Sequence, residues 1–203
     1  MIIEKITVGQ LGTNCYLFGN RKTKEILIID PGAEFNKIRN KIEVNNLKPV
    51  KIILTHSHYD HIQAAPELRE LYQIPIAIHR LDKPNLADSQ KNFSSLFGEQ
   101  ISFASDIILE EEDMLFSDNH ELRVIHTPGH SEGSIILAGD GFIFSGDLIF
   151  KMGIGRTDLP GGNQNEIINS LKKLKKFPDE TIIYPGHGPN TDLKKEKRIL
   201  DNF

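Results

Sequence analysis

The sequence is poor in cysteine: Cys15 is the only one in 203 residues. A single thiol forms no internal disulfide and cannot build a zinc site of the Cys₄ or Cys₂His₂ type. Any metal held by this chain must be bound through nitrogen and oxygen. Long apolar runs are also missing. None approaches the roughly 20 residues that span a bilayer. The opening MIIEKITVGQ lacks a basic stretch followed by an apolar one. The expected location is the cytoplasm, with no membrane partner. Surplus charge is small, a formal net of -4, so nothing draws the chain toward nucleic acid. No Pro/Gly/Ser-rich linker divides it, and no repeat of about 20–50 residues is visible. One domain over residues 1–203 is the expectation at this length. The oligomeric state is not encoded in any pattern.

What is present is a series of short apolar runs separated by Gly, Pro, Asn and Asp. Residues 2–8, 14–18 and 25–29 read as three successive strands, the third stopped by Asp30-Pro31-Gly32. The spacing predicts a helix over 35–46 and, after Pro49, a short buried strand over 51–54. A helix over 62–72 and a strand over 74–78 follow. Residues 79–100 show no clear period. Runs at 107–109, 121–125, 134–138 and 141–144 read as strands of a second sheet, with Gly139-Asp140 as a hairpin turn. An amphipathic helix over 163–177, a strand over 181–184 and a charged helix over 193–202 complete the chain. This order suits two packed sheets with helices outside them.

The residues with metal-binding chemistry are concentrated. His56, His58, Asp60 and His61 lie within six positions, directly after the strand at 51–54. His130, in HTPGH, follows the strand at 121–125. Asp147, in SGD, follows 141–144, and His187, in YPGHG, follows 181–184. Each stands in a loop leaving the carboxyl end of a strand, and loops on one rim of a rigid scaffold are where catalytic groups gather. A catalytic zinc takes about three protein ligands and keeps a position for water. Two ions need about six ligands and a group that spans them, and a carboxylate can span because it has two oxygens. Two metals about 3.5–4 Å apart can share a hydroxide and polarise a carbonyl, with the pKa of bound water falling from about 15.7 toward 7.

The run HSHYDH at 56–61, with His130, Asp147 and His187 downstream, resembles the metallo-β-lactamase superfamily. The likeness extends over nearly the whole chain, through LGTNCYLF, DPG, HTPGHSEGS, FSGD and YPGHG. It implies an α+β fold, the four-layer αββα sandwich, with two mixed β-sheets flanked by helices. It further implies that His56, His58 and His130 hold a first metal, that Asp60, His61 and His187 hold a second, and that Asp147 bridges them. Asp60 would also orient the hydroxide. The two divalent ions would be zinc, with iron or manganese as alternatives, since nitrogen and oxygen donors accept all three. His58 stands where the flavo-diiron branch carries a glutamate, so the chain looks hydrolytic.

Within the superfamily the chain is similar to the short glyoxalase II-like hydrolases, which share the segment GIGRTDLPGG at 153–162. It ends at Phe203, soon after His187, so the glutathione-contacting helical domain of the long enzymes is expected to be missing. Gln63-Ala64 replaces the small glycines that many relatives carry after DHI. The resemblance implies hydrolysis of a small-molecule thioester such as S-lactoylglutathione by a metal-bridging hydroxide. A thiol of pKa about 8.5 leaves without an obligatory proton donor. A persulfide dioxygenase with a single iron and a lactonase are the alternatives. Arg156 either attracts a substrate carboxylate or pairs with Asp158. Tyr59 either lines the pocket mouth or faces solvent. Thr55 is expected to hydrogen-bond near the ligand loop. His79, His120 and His126 are not expected to be ligands. Cys15 is expected to be a buried small hydrophobe, and Lys194, Lys195 and Lys197 a solvated face.

Overall fold

A computed structural model describes residues 1–202 of the chain. Three antiparallel strands open it: β1 (Ile2–Val8), β2 (Thr13–Gly19) and β3 (Glu25–Ile29). Helix α1 (Phe35–Val44) leads to β4 (Lys48–Ile53). The short α2 (Tyr59–Ile62) and α3 (Ala65–Tyr72) lead to β5 (Ile76–His79). Then α4 (Lys83–Leu86) and a 3₁₀ turn (Ser94–Phe97) lead to β6 (Ile107–Leu109). These six strands form one sheet in sequence order, parallel from β3 to β6.

The second half builds another six-stranded sheet. Strands β7 (Met114–Ser117), β8 (His120–His126), β9 (Ile135–Gly139) and β10 (Phe142–Gly146) are followed by a small ribbon, β11 (Ile149–Phe150) and β12 (Gly153–Ile154). Helix α5 (Gln164–Leu174), β13 (Ile182–Pro185), β14 (Thr191–Asp192) and α6 (Leu193–Leu200) close it. The strand order is β14-β13-β10-β9-β8-β7, with β10 and β13 parallel. Among the described residues no helix is long and apolar enough to cross a membrane.

Alternation along the strands makes the layers. Successive side chains of a strand point to opposite faces. In β2, Tyr16 and Phe18 enter the core between the sheets, whereas Cys15 and Leu17 join the core under α1 and α3. In β3, Leu27 and Ile29 point inward and Ile26 and Ile28 outward. In the second sheet, Phe142 and Phe144 face the shared core, and Ile143 meets Ile167, Leu171 and Leu174 of α5. Strands covered on both faces read as unbroken apolar runs, which is why β3 is EILII. The result is the expected αββα sandwich. The sheets are also stitched at one edge: Asn14 N donates to Gly186 O at 2.7 Å and the Tyr16 hydroxyl to Pro185 O at 2.8 Å.

Several local expectations need correction. Residues 107–109 belong to the first sheet, as β6 beside β5. The helix expected over 62–72 is two helices. Ala64 N donates to Pro31 O at 3.0 Å, outside any helix, and Pro66 has no N–H to continue the ladder. Pro49 lies inside β4, at a register shift opposite Ile26, where a missing N–H is tolerated. The β9–β10 turn is Asp140-Gly141, with Gly141 at φ 78°. Strands β7, β11, β12 and β14 were not anticipated.

His79 at the end of β5 stacks on His126 at the end of β8, with ring centroids 4.1 Å apart and planes at 13°. Burial, and then His126, push the His79 pKa down to about 4 against the pull of Glu110. Its unfolded value is about 6.5. A histidine depressed by folding stabilises the neutral state in full above the unfolded value, and this is lost as pH falls from about 6.5 toward 4. Replacing His79 with glutamine is expected to flatten melting temperature against pH across that window. An identical slope in wild type and variant would refute it.

Candidate metal centre

The strand order brings the candidate ligands to one rim. The loop after β4 presents His56 and His58, and α2 adds Tyr59, Asp60 and His61. Strand β8 runs antiparallel to β9, and β9 to β10, so β8 and β10 point the same way. Parallel β13 does likewise. Their carboxyl ends therefore deliver His130, Asp147 and His187 together. The first glycine of YPGHG is dictated by crowding: a Cβ on Gly186 would lie 2.2 Å from Asp147 Oδ1 and 2.9 Å from His61 Cε1.

All seven side chains converge. The rings of His56, His58 and His130 lie 4.5–4.8 Å apart, centroid to centroid. His187 Nε2 is 3.1 Å from Asp60 Oδ2 and 3.3 Å from His61 Nε2. Asp147 stands between the two groups. Its Oδ1 is 3.4 Å from His61 Nε2, and its Oδ2 is 3.5 Å from His130 Nε2 and 3.6 Å from His187 Nε2. Ligand atoms of His56, His58 and His130, and separately those of Asp60, His61 and His187, all fall within 4.8 Å of one another.

The outer ring nitrogens are fixed by partners. His130 Nδ1 donates to Arg156 O at 2.9 Å and His187 Nδ1 to Leu11 O at 3.1 Å. A carbonyl only accepts, so each neutral ring carries its proton on Nδ1 and turns a bare Nε2 inward. His56 Nδ1 meets the Thr55 hydroxyl at 3.1 Å, and His61 Nδ1 meets Asp30 Oδ2 at 3.0 Å. The inward atoms are another matter. His56 Nε2, His130 Nε2 and Asp147 Oδ1 are buried with no hydrogen-bond partner among the described residues. Buried polar atoms are rarely left so, because desolvation without a partner is costly. Orphaned donors around a carboxylate fit divalent cations.

Electrostatics point the same way. Burial, then neighbouring histidines, hold His56 well below its ordinary value, and burial with His130 lowers His58 to about 3. Both are therefore neutral donors at physiological pH. Burial works against charge on His61, but Asp60, Asp147 and Asp30 outweigh it and raise its value well above the usual. Burial likewise opposes ionisation of Asp60, and His61, His187 and Thr13 overcome it. The carboxylates that draw a proton to His61 would equally attract a metal ion.

Other anticipated residues sit farther out. The Arg156 guanidinium is exposed and forks onto Asp158, Nε to Oδ1 and Nη2 to Oδ2, both at 2.7 Å. Its link to the centre is its carbonyl. Tyr59 stacks on Phe97 at 4.6 Å and 12°. With Leu11, Asp60, Gln63 and Glu99 these rings line a cavity of about 200 Å³ beside the centre. His120 lies near Phe18, and Cys15 is fully buried in the outer core. Asp30 escaped the reading of the sequence. It accepts from Thr55 N at 2.7 Å, from the Thr55 hydroxyl at 2.6 Å and from His61. Its position at the end of β3, on the same rim, was the available signal.

Residues 8–187 match the Metallo-beta-lactamase superfamily. The chain is 38% identical to the probable metallo-hydrolase YqgX of Bacillus subtilis, over 96% of this chain and 93% of that one. It is 34% identical to the hydroxyacylglutathione hydrolase GloC of Haemophilus influenzae, over 98% and 96%. Among solved structures, the BLEG-1 B3 metallo-beta-lactamase superposes with a TM-score of 0.93 at 35% identity, over 98% of this chain and 99% of that one. TTHA1623 in a di-iron-bound form gives 0.84 at 34%, over 96% and 97%.

Proposed function

The chain belongs to the metallo-beta-lactamase superfamily, and from that premise we propose that it is a two-metal hydrolase of small-molecule thioesters, of the hydroxyacylglutathione type. The observation that carries this reading is Asp147, one carboxylate set between two donor groups, the first buried and the second partly so. His56, His58 and His130 would hold one ion, Asp60, His61 and His187 the other, and Asp147 would touch both. Two ions held there supply Lewis acidity and water acidic enough to ionise near neutral pH. Zinc suits the donors, and the di-iron form of TTHA1623 makes iron an alternative.

The chain's own groups do the rest. Thr13 donates from its hydroxyl to Asp60 Oδ2 at 2.8 Å, fixing the carboxylate in place. Asp60 thus keeps a rigid acceptor facing the centre, suited to orienting a water molecule. Phe93 lies against His58 and Phe150 against His187, limiting bulk solvent at both sides. The Tyr59–Phe97 stack offers an apolar wall for the substrate beside Asp60. Likeness to GloC supports the acyl-thioester class, and a thiolate leaves without a proton donor.

Metal analysis paired with S-lactoylglutathione hydrolysis tests this. The expectation is two divalent ions per chain with turnover. One iron per chain with oxygen uptake on glutathione persulfide would overturn it, as would lactone cleavage without thioester cleavage. For the wall, Phe97→Ala is expected to raise KM about 2- to 12-fold with kcat little changed. An aromatic ring contact with the bound substrate would be worth about 0.5–1.5 kcal/mol, in ground and transition states alike. Steady-state kinetics decide, and an unaltered KM would remove Phe97 from the substrate's path.

A further inference from the structure

Asp82 is fully buried, three residues beyond β5. Its carboxylate is completely engaged. Oδ2 accepts from Ser57 N at 2.8 Å and from the Ser131 hydroxyl at 2.9 Å, and Oδ1 accepts from Gly133 N at 2.8 Å. Ser57 stands between His56 and His58, and Ser131 follows His130. One side chain therefore grips both loops that carry the three-histidine group, although those loops leave different sheets.

The fit is close on every side. A Cβ on Gly133 would lie 2.5 Å from Asp82 N and 2.8 Å from Asp82 Cγ. Only glycine lets that backbone come near enough to donate. Two of the three partners are backbone N–H groups, which cannot reverse their role. The group they surround must be acceptor-only, and a carboxylate is the side chain that satisfies this. Asp30 does comparable work on both groups, bonding His61 directly and reaching His56 through the Thr55 hydroxyl. Among the described residues Asp82 has no hydrogen bond to a histidine ring; it acts through the backbone of Ser57 and Gly133 and the hydroxyl of Ser131.

We propose that Asp82 is a positioning residue that sets the spacing of the His56–His58 loop against the His130 loop, and so presets one of the two ion pockets. This rests on the two-metal reading above. Groups that orient metal ligands typically contribute 10–100-fold to affinity.

The test is calorimetric titration of chelator-treated protein with Zn²⁺, in which His130→Ala and His187→Ala assign the two binding steps. In Asp82→Asn the step lost in His130→Ala is expected to weaken about 10–100-fold. The step assigned by His187→Ala should hold within about threefold. An amide must point its NH₂ at a backbone N–H, that of Gly133 in one orientation and that of Ser57 in the other, which opens that loop contact. The electronic spectrum of the Co²⁺ form is expected to change in the same pocket only. Ser131→Ala, which leaves Asp82 and both backbone donors in place, should show a smaller loss in the same step. It also decides the matter if Asp82→Asn does not fold. Unchanged affinity in these variants, or equal weakening of both steps, would overturn the proposal while wild-type uptake of two ions keeps the two-metal reading. Failure of the wild type to bind two ions would overturn both.

Discussion

Replacing Asp147 with alanine is expected to empty the centre of its paired ions and to lower kcat/KM for a thioester by at least about a hundredfold. The magnitude follows from a comparison. Removing a group that merely orients a ligand costs about 10–100-fold, and Asp147 lies among the donors themselves, its oxygens 3.4–3.6 Å from His61, His130 and His187. Losing it deprives both groups of their shared negative charge. His61 and His187 would lose one of the negative charges that hold their values above the ordinary one. Asp147→Asn keeps the shape and removes the charge, and should retain more metal than alanine but less than wild type. Metal content and kcat/KM measured on the same preparations check this. A fully active alanine variant would remove Asp147 from the mechanism, and with it the claim of two ions.

Stripping the metal should cost thermal stability as well as activity. Most of the donor histidines are buried, and His56 Nε2, His130 Nε2 and Asp147 Oδ1 have no hydrogen-bond partner among the described residues. A ligand present at a hundred times its dissociation constant stabilises the folded state by about 2.7 kcal/mol. For a chain of 203 residues, each kcal/mol moves the melting temperature by roughly 2–4 °C. Adding Zn²⁺ to chelated protein should therefore raise it by about 5–11 °C. The gain should shrink as pH falls, because ligands must be deprotonated to bind and His61 holds its proton more tightly than an ordinary histidine. Scanning calorimetry of chelated and reloaded protein at several pH values gives the answer. Equal melting temperatures with and without metal would show that the centre binds nothing tightly.

The donor set could be read from the sequence because each member follows a short apolar strand whose end is marked by Gly, Pro or a polar run. Strand ends are local features, and the rim rule then gathers them. Sheet membership is not local. The three-residue run Ile107–Leu109 carries nothing to say that its partner is Ile76–His79 and not the strands that follow it. Two-residue strands such as Ile149–Phe150 have no period to detect. The break after Ile62 depends on a hydrogen bond from Ala64 to Pro31, more than thirty positions away. Asp82 was invisible for the same reason: its three partners are contributed by two other loops, and its own surroundings, HRLDKPNL, have no recognisable period.

The first sheet contributes His56, His58, Asp60 and His61, and the second contributes His130, Asp147 and His187. Neither half of the molecule could chelate the pair by itself. An ion seated across that seam behaves as a rivet, and any breathing that parts the halves at this edge must loosen it. On the two-metal reading, reactivity would be tied to finished assembly: a chain caught half-folded would lack a complete donor set, and with it the means to act as a stray hydrolase among its neighbours.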